Sequence, residues 1–499
     1  MGHNIRVCRG INTIQGVKRV SKGNLINRAK RNIFYKILAE ATKVLPALLF
    51  IYIARKLGGE DFGKLSFAFS FTGMCILIAD FGLNRLLVRN VSRQKELTEE
   101  YVANIYVIKI VLSFMCVVAM GLFVVLAGYT SEMITLVMIF GGAMFFRSLL
   151  DVSCAVFNAH EQMDKEAVLK GISHILLFIA GAVVLALGFG LFELSNVFLI
   201  VYLIGSILGC FMVYKGIVNI RPRFNLRFWY FILNESMPIA LTVTFGVIYV
   251  KIDIVMLSLI RGDNVEIGWY SAAVRIIELI HVIPAIIASA IFPIFSILHK
   301  DSMDSLGDVY KTSFKYLLVI ALPVVVGTFL LSDHIIDLVY GEEYVKAIPA
   351  LKILVCSLIF IFVNYILLNI LVAADRQRNN AIVTGICLFV NISLNMCLIP
   401  YYGYLGAGYA TVITEIALFA MCWYYATKYI CKVNIIAVLS RPLMCVTVMG
   451  VFIVLTAARL NLALVIVLSA LTYFTCLLLL RFFTDDDKLI FSNLLGRLR

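Results

Sequence analysis

Charged residues are scarce in this sequence. Asp, Glu, Lys and Arg together make up 15% of its 499 residues, whereas 62% of the residues are hydrophobic. Soluble domains carry roughly a quarter charged residues, and the mean hydropathy of +0.97 is also far from the soluble range. The scarcity of charge excludes an ordinary soluble protein.

Motifs that indicate an enzyme or a metal protein are also missing. The 12 Cys residues form no Cys-x-x-Cys pair and the 6 His residues are scattered, so we predict no disulfide framework, no metal site and no cofactor. The longest internal polar stretches, 83–103 and 214–235, are shorter than about 25 residues and hold no Asp-x-Asp, P-loop or nucleophile motif. A membrane-embedded glycosyltransferase or polysaccharide polymerase needs larger catalytic loops, so we expect no enzyme. Residues 1–33 are polar and basic, without the apolar segment of a signal peptide.

What the sequence does contain is a series of apolar runs. Each is about 20 residues long, enough to cross roughly 30 Å of hydrocarbon as a helix, whereas barrel strands would be shorter and would alternate. We therefore predict an all-α polytopic membrane protein with about 14 transmembrane helices. The predicted spans are 34–56, 62–82, 104–128, 132–156, 167–190, 194–214, 236–259, 268–297, 312–332, 348–373, 379–399, 404–427, 438–458 and 461–482.

The net charge of +13 has a topological explanation. With an even number of spans and a cytoplasmic N-terminus, most Lys and Arg residues lie in cytoplasmic segments, as the positive-inside rule requires. The richest segments are the N-terminal tail and the loops 83–103 and 214–235. We expect a multi-pass protein of the cell (cytoplasmic) membrane with both termini in the cytoplasm, and no nucleic-acid partner.

Two segments of the first half recur in the second half. GKLSFAFSF from position 63 is similar to GWYSAAVRI from position 268, about 205 positions later, and 157–172 is similar to 371–386. Spans 1–6 and 7–12 therefore look like two copies in the same orientation, a plan that transporters use. The matched positions are Gly63/Gly268, Ser66/Ser271, Ala68/Ala273, Ala159/Ala373, Glu161/Asp375, Ala167/Ala381 and Gly171/Gly385.

The repeat defines the expected domain organisation. We predict a basic cytoplasmic tail (1–33), an N-terminal six-helix bundle (34–216) and a cytoplasmic linker (217–235). A C-terminal six-helix bundle (236–430), two additional transmembrane helices (431–482) and a second cytoplasmic tail (483–499) follow.

Four stretches carry a resemblance to a transporter family. They are ARKLGGEDFGKLSFA (54–68), IADFGLNRLLVRNVSR (78–93), LVYGEEYVKAIPALKIL (338–354) and LNMCLIPYYGYLGAGYATVITE (394–415). Over about 34–430 the chain resembles the polysaccharide and oligosaccharide flippases of the multidrug/oligosaccharidyl-lipid/polysaccharide exporter superfamily, which also includes the multidrug and toxin extrusion proteins. The resemblance implies two pseudo-symmetric six-helix bundles facing each other in a V, with two extra C-terminal helices.

The same resemblance implies a function. Such flippases move polyprenyl-phosphate-linked or polyprenyl-diphosphate-linked oligosaccharide from the inner to the outer leaflet, for polysaccharide or glycan export. Because the sequence has no ATP-binding segment, the energy would come from an ion gradient, substrate supply or downstream pull. The expected partners are the lipid-linked oligosaccharide, the lipid bilayer, H⁺ or Na⁺, and a polysaccharide polymerase or glycosyltransferases. Parallel repeats place the binding cavity between the two halves and work by alternating access.

Ionisable residues inside the spans point to the site, because such residues usually face the bundle interior or a wet cavity. Lys251 and Asp253, in VIYVKIDIVMLSLI (247–260), are two positions apart and so lie on nearly opposite faces of a helix. They are not each other's partner, and at least one must face another helix, a ligand or water. The resembling family commonly carries an acid near this position of span 7, which makes Asp253 a candidate for cation or proton coupling; a salt bridge to Arg275 is the alternative.

Substrate phosphates need cations in a low-dielectric cavity, and Arg and Lys both bind phosphate. Arg147 with Asp151 and Arg275 with Glu278 have helical spacing, so mutual neutralisation explains these pairs as well as a site does. Lys170 has only His174 at that spacing. The candidates for the phosphate or headgroup are Arg147, Lys170, Lys251, Arg275 and Lys43, with Arg85 and Arg89 at the cytoplasmic mouth. Glu278 and Glu415 join Asp253 as coupling candidates, and Asn364, Asn391 and Tyr249 are candidates for sugar contacts, although intramembrane Asn often only joins helices.

Two other transporters on the same scaffold remain as alternatives. A cation-coupled multidrug extruder predicts a cavity dominated by carboxylates and aromatic residues, whereas basic residues outnumber acidic ones inside these spans. A flippase for a lipid-linked peptidoglycan precursor handles nearly the same chemistry, and the sequence barely separates it from the oligosaccharide flippase.

Overall fold

The computed structural model describes residues 31, 35, 38–39, 41–218 and 225–482. The predicted tails fall almost wholly outside these residues, as do Lys36, Glu40 and the linker residues Arg221 and Arg223. The described part of the chain forms sixteen α-helices and two short 3₁₀ turns. The helices are α1 (Val44–Ala79), α2 (Leu83–Arg93), α3 (Thr98–Leu126), α4 (Ser131–Ala159), α5 (Met163–Ala186), α6 (Leu191–Gly216), α7 (Leu226–Arg261), α8 (Asn264–Ile280), α9 (Val282–Asp301), α10 (Met303–Leu330), α11 (Ser332–Tyr340), α12 (Ala347–Ala373), α13 (Gln377–Tyr402), α14 (Tyr404–Tyr429), α15 (Ile435–Thr456) and α16 (Leu462–Leu479).

Thirteen segments of the described chain are long and apolar enough to cross a membrane. The α-helical, multi-pass prediction is therefore confirmed. The count is one lower than the predicted 14 because α1 contains most of the first two predicted spans. Gly58 interrupts this helix with φ of 81° and ψ of 176°, a conformation that only glycine adopts without strain. The charged stretch RKLGGEDFGK (55–64) separates the two predicted spans in the sequence, and the structure continues helically on both sides of Gly58, so the two spans are counted as one helix.

The helices form two six-helix bundles followed by two further helices. In the first bundle α4 packs on α1, α3 and α6, and in the second α14 packs on α12 and α13 while α7 packs on α13. The last two helices, α15 and α16, pack on each other and on α10 through a separate apolar cluster that includes Val319, Met449 and Tyr473. Many large apolar side chains on the outside of the helices are exposed, as expected for a surface that lipid covers.

The turns of the two halves also correspond. Residues with positive φ recur at corresponding breaks and turns of the two halves: Gly58 within α1 and Gly262 after α7, Gly128 after α3 and Gly341 after α11, Glu161 after α4 and Asp375 after α12, and Gly188 after α5 and Gly403 after α13. The third pair is not glycine: φ is 60° at Glu161 and 58° at Asp375, and these two residues are matched in the sequence repeat. A non-glycine residue with positive φ is uncommon, so its recurrence at matched positions supports the duplicated plan.

At one end the two bundles meet through a close helix crossing. A Cβ atom on Gly63 of α1 would lie 1.8 Å from the carbonyl oxygen of Asn264, and one on Gly268 of α8 would lie 2.0 Å from the carbonyl oxygen of Gly59. The two contacts are reciprocal, because Gly59 and Asn264 are separated by the same 205 positions as Gly63 and Gly268. We call these four residues the glycine crossing.

At the same end of the molecule, a tyrosine from each half forms a hydrogen bond to the other half. Tyr129 follows α3, and its hydroxyl lies 2.9 Å from Ser258 Oγ near the end of α7. The Tyr344 hydroxyl, which precedes α12, donates to the carbonyl oxygen of Ala54 at 2.9 Å. Glu343 Oε1 accepts the backbone N–H of Gly59 at 2.7 Å. Each half thus places a tyrosine on the first helical segment of the other half, so this end of the interface is closed.

Candidate functional site

Three charged side chains of the second bundle form a cluster that we call the basic triad. Lys251 Nζ of α7 lies 2.9 Å from Glu278 Oε1 of α8, and Arg275 Nη1 lies 2.7 Å from Glu278 Oε2. One carboxylate therefore holds two cations, which leaves the triad with a net positive charge. The Lys251 and Glu278 side chains are 22% and 30% exposed, so the triad is not sealed inside the protein.

Arg275 also reaches the first bundle. Its guanidinium carbon lies 3.9 Å from the centroid of the Phe50 ring and 5.7 Å from that of Phe69, and both rings belong to α1. A cation–π contact of a largely desolvated guanidinium contributes about 2 kcal/mol, and the Arg275 side chain is only 12% exposed. The basic triad therefore lies where the two bundles meet, which is where the parallel-repeat plan puts the binding cavity.

Asp253 belongs to a different cluster, which we call the Asp253 pocket. Its Oδ1 accepts from Asn395 Nδ2 at 2.7 Å, and its Oδ2 accepts from Thr411 Oγ1 at 2.7 Å and from the Tyr270 hydroxyl at 3.0 Å. Asn395 Nδ2 also lies 3.0 Å from Asn391 Oδ1. Asp253 is buried, and its bonded partners among the described residues are all neutral. Arg275 pairs with Glu278 instead, so the alternative salt bridge between Arg275 and Asp253 is not formed.

The Asp253 pocket has an oxygen without a partner. Asn395 is 0% exposed, yet its Oδ1 accepts no hydrogen bond from the described residues. Turning the amide over would direct this oxygen toward Asp253, and amide orientations are assigned from the network rather than observed. Oxygens of Asp253, Asn391, Asn395 and Thr411 would then converge, which is the ligand type that hard cations prefer. Such oxygens could hold a monovalent cation, and the carboxyl group could hold a proton; the described residues contain no group of three or more His, Cys, Asp or Glu side chains arranged for a metal.

Glu415 is a second buried carboxylate of the same bundle. Its Oε1 accepts from the Tyr249 hydroxyl at 2.7 Å, and its Oε2 accepts from Asn364 Nδ2 at 2.8 Å. Asn364 and Asn391 are 3% and 1% exposed. The three residues expected to contact sugar, Asn364, Asn391 and Tyr249, are thus occupied with buried protein groups in this conformation. Tyr249 and Asn364 join helices through Glu415, whereas Asn391 accepts from Asn395 of its own helix.

The first bundle contains a small polar cavity of about 60 Å³. Lys109 of α3 forms an ion pair with Asp80, which follows α1, and its Nζ donates to the Ser148 carbonyl oxygen at 3.2 Å. Asn84, Arg147 and Asp151 also line the cavity. Lys109 is 1% exposed, so its charge is fully compensated inside the bundle and is not available to a ligand.

Arg147, by contrast, forms no direct ion pair within the described residues, although it interacts electrostatically with Asp151. The predicted i,i+4 pairing with Asp151 is not formed, and no carboxylate of the described residues makes an ion pair with Arg147. The contacts of its guanidinium are the Met144 sulfur at 3.9 Å and the Tyr202 ring, whose centroid is 5.7 Å away. Arg147 is exposed although it lies in the middle of a membrane-spanning helix. An accessible, unpaired guanidinium at this depth is suited to an anion.

The other predicted cations are placed less favourably. Lys170 Nζ lies 2.6 Å from Glu166 Oε1 one turn earlier, which corrects the expectation that it has only His174 nearby. Arg89 of α2 forms an ion pair with Glu235 of α7. Arg85 is exposed on α2, and Lys43 is exposed just before α1. Lys170 and Arg89 are thus paired with carboxylates that do not belong to the basic triad.

Comparisons with known proteins agree with this architecture. A family model described as polysaccharide biosynthesis protein matches residues 29–299, more than half of the chain, and the MatE model matches residues 238–397. The capsular polysaccharide biosynthesis protein CapF of Staphylococcus aureus is 22% identical over 403 residues, which is 79% of this chain and 98% of CapF. A protein of Haloferax volcanii named probable low-salt glycan biosynthesis flippase is 22% identical over 366 residues, 73% of this chain and 76% of that protein.

Solved structures share the fold. The lipid II flippase MurJ in an inward closed conformation matches with a TM-score of 0.76 and 19% identity, over 89% of this chain and 98% of MurJ. An inward-facing multidrug resistance transporter of the MATE family matches with a TM-score of 0.66 and 16% identity, over 78% of this chain and 94% of the transporter. Together with the family match, the two-bundle architecture shows that this chain is a membrane transporter of the polysaccharide biosynthesis protein family, within the multidrug/oligosaccharidyl-lipid/polysaccharide exporter superfamily.

Proposed function

We propose that this protein is a flippase that moves polyprenyl-phosphate-linked or polyprenyl-diphosphate-linked oligosaccharide from the inner to the outer leaflet of the cytoplasmic membrane. The observation that carries the proposal is the basic triad, a partly exposed cluster of net positive charge between the two bundles. The names of the relatives, which refer to capsular polysaccharide and glycan biosynthesis, support the glycan part of the proposal. A cationic-drug extruder would need the opposite sign of charge at this place.

In the proposed mechanism the triad binds the phosphate groups. Glu278 compensates Lys251 and Arg275 while the cavity is free of substrate, which avoids two uncompensated charges at membrane depth. A diphosphate carries more charge than one carboxylate, so it competes for both cations, and each charge-assisted hydrogen bond contributes about 1.5–3 kcal/mol. Arg147, which forms no direct ion pair within the described residues, supplies a further cation from the first bundle.

Movement across the membrane follows from rocking of the two bundles. With both termini in the cytoplasm, the glycine crossing lies at the external end, because α1 turns at Gly58 after the first crossing of the membrane. The described conformation is then closed outside and receives substrate from the inner leaflet. Opening of the crossing, with closure at the cytoplasmic end, would release the headgroup outside.

The experiment that tests this function measures leaflet exchange in proteoliposomes. A fluorescent polyprenyl-diphosphate oligosaccharide is followed with a membrane-impermeant quencher, and the expected result is exchange that depends on the protein. A lipid-linked peptidoglycan precursor is measured in parallel, and faster exchange of that lipid would favour the peptidoglycan alternative. Export of an organic cation without any exchange of lipid-linked sugar would contradict the proposal.

For coupling, we propose that the Asp253 pocket binds the driving ion, Na⁺ or H⁺. Replacing Asp253 with Asn removes the one charge of the pocket, so we expect Na⁺ affinity to fall about tenfold or more. In the wild type, Na⁺ should raise the melting temperature as a ligand of the folded state does, and K⁺ should raise it less. Asp253→Asn should abolish this Na⁺ effect.

The control is Asp333→Asn, which removes a carboxylate that is 56% exposed and pairs with Lys352 outside the pocket. It should keep the full response to Na⁺. An Asp253→Asn protein that is still stabilised by Na⁺ would move the ion site elsewhere. If Na⁺ has no effect on the wild type, while a pH gradient drives exchange that is lost in Asp253→Asn, the driving ion is the proton.

A further inference from the structure

Asp253 of α7 and Glu415 of α14 each form a hydrogen bond across the contact between these two helices. The two hydrogen bonds are one helical turn apart. Thr411 of α14 contacts Asp253 of α7, and one turn further along, Glu415 of α14 contacts Tyr249 of α7. The two helices run antiparallel here, so these are neighbouring contacts along the same helix pair. Glu415 is 7% exposed, as is Asp253. The second bundle thus buries two carboxylates close together.

The surroundings of Glu415 contain no compensating cation among the described residues. The titratable groups near it are Tyr249 and Asp253 of α7, Tyr365 of α12, Cys387 of α13 and Cys422 of its own helix. None of these is a base that carries positive charge. An isolated buried carboxylate costs many kcal/mol to ionise in a low-dielectric interior, and a neighbouring carboxylate adds repulsion. Both groups are therefore not ionised together unless a cation is bound.

The hydrogen bonds indicate which carboxylate is the neutral one. Asp253 accepts from two hydroxyl groups, those of Thr411 and Tyr270, whereas Glu415 accepts from one, that of Tyr249, and hydrogen-bond donors stabilise the ionised form of a carboxylate. Each carboxylate also contacts one asparagine amide, Asn395 or Asn364, whose orientation is interchangeable.

Asn364 supplies the second, independent observation. It is 3% exposed, and its Oδ1 has no donor among the described residues. With the amide reversed, this oxygen would lie where Nδ2 now lies, 2.8 Å from Glu415 Oε2, and the weaker 3.3 Å bond from Nδ2 to the Glu415 carbonyl oxygen would be given up. Two oxygens at that distance need a hydrogen between them, and the carboxyl group of Glu415 is the group that can provide it. A proton on Oε2 would satisfy the orphaned oxygen while the Tyr249 bond to Oε1 remains.

We propose that Glu415 is a proton-binding site, distinct from the cation site at Asp253, and that it holds its proton on Oε2, hydrogen-bonded to Asn364. The protonation does not depend on the proposed function; only its part in coupling does. A cation bound at Asp253 cancels the charge of that carboxylate and so makes an ionised Glu415 less costly. Cation binding at one site and proton release at the other are then linked, and the linkage is reciprocal.

The experiment is infrared difference spectroscopy of the purified protein at neutral pH, which detects the carbonyl stretch of a protonated carboxyl group. We expect this band in the wild type and its loss in Glu415→Gln. Gln keeps both hydrogen bonds, because its oxygen accepts from Tyr249 and its amide donates to the Asn364 oxygen, so the variant should fold with unchanged thermal stability. The matched control is Glu166→Gln, which removes a carboxylate paired with Lys170; its spectrum should keep the band.

A band that is unchanged in Glu415→Gln overturns the proposal. So does a melting temperature that falls by more than a few degrees in Glu415→Gln, since a neutral isostere of a protonated glutamate should not destabilise the protein.

The linkage between Na⁺ binding and proton release is measured with a pH indicator. Na⁺ added to weakly buffered wild type should release up to one proton per protein, and Glu415→Gln should release none. Release from Glu415→Gln equal to that of the wild type would assign the proton to another group. The infrared result does not depend on lipid transport, so failure of the flippase proposal can be distinguished from failure of the Glu415 proposal.

Discussion

Replacing Gly63 or Gly268 with alanine should prevent the two bundles from closing at the glycine crossing. The added Cβ would lie 1.8 Å from a carbonyl oxygen for Gly63 and 2.0 Å from one for Gly268. Both obstacles are backbone atoms, so no side chain can rotate away and the helices must separate. Overpacking typically costs about 1–3 kcal/mol, and about 1.4 kcal/mol changes an equilibrium tenfold. We expect the equilibrium population of the closed conformation to fall about tenfold to a hundredfold relative to the open one. The rate of leaflet exchange should fall with it.

Accessibility at the crossing measures this shift. Ser66, one turn from Gly63, is 0% exposed, so a Ser66→Cys side chain should react slowly with a membrane-impermeant maleimide. Labelling of the protein without this substitution is subtracted to remove the native cysteines. In Ser66→Cys combined with Gly63→Ala, the labelling rate should rise at least about tenfold.

Two glycines of the same helices serve as controls. Gly73 of α1 and Gly246 of α7 have no atom within 4 Å of an added Cβ, so Gly73→Ala and Gly246→Ala should leave labelling and exchange near wild-type values. An equal rise in the controls would mean that alanine loosens these helices generally. Unchanged labelling in Gly63→Ala would show that the crossing is not the element that closes this end.

The sequence predicted the parts of the fold that depend on short-range pattern. Apolar runs located the spans, and the matched glycines at 63 and 268 indicated two related halves. These two glycines are also the ones that touch across the interface. That contact could not be deduced beforehand, because a repeat in the sequence gives the symmetry of two halves but not the end at which they are closed.

The site was only partly predictable, for a physical reason. Helical spacing correctly placed Lys251 and Asp253 on different faces, but their partners come from other helices: Glu278 from α8, Asn395 from α13 and Thr411 from α14. Neutral partners such as Asn395 and Thr411 give no charge signal in a sequence. Glu166 was missed as the partner of Lys170 because it stands just before the predicted span, although its i,i+4 spacing was a readable signal.

Replacing Arg275 with alanine should weaken substrate binding more than any other change in the basic triad. The substitution removes a guanidinium that pairs with Glu278 and stacks on Phe50 across the bundle interface. Truncation of one member of a buried, hydrogen-bonded charge pair costs about 2–5 kcal/mol, so the affinity for a polyprenyl-diphosphate oligosaccharide should fall at least about thirtyfold. Arg275→Lys should recover part of the loss, because it keeps the charge but not the planar fork or the stacking.

The measurement is titration of the purified protein with the diphosphate lipid and with its monophosphate counterpart. A diphosphate engages both cations of the triad, whereas a monophosphate offers fewer oxygens, so Arg275→Ala should reduce the affinity for the diphosphate more than for the monophosphate. Arg261→Ala is the control, since this arginine is exposed at the end of α7 and pairs with Glu266. If Arg261→Ala weakens binding as much as Arg275→Ala, the attraction is a general effect of positive charge and the basic triad is not the phosphate site. If only Arg275→Ala does so, and the diphosphate preference disappears with it, the triad determines which lipid headgroup the protein accepts.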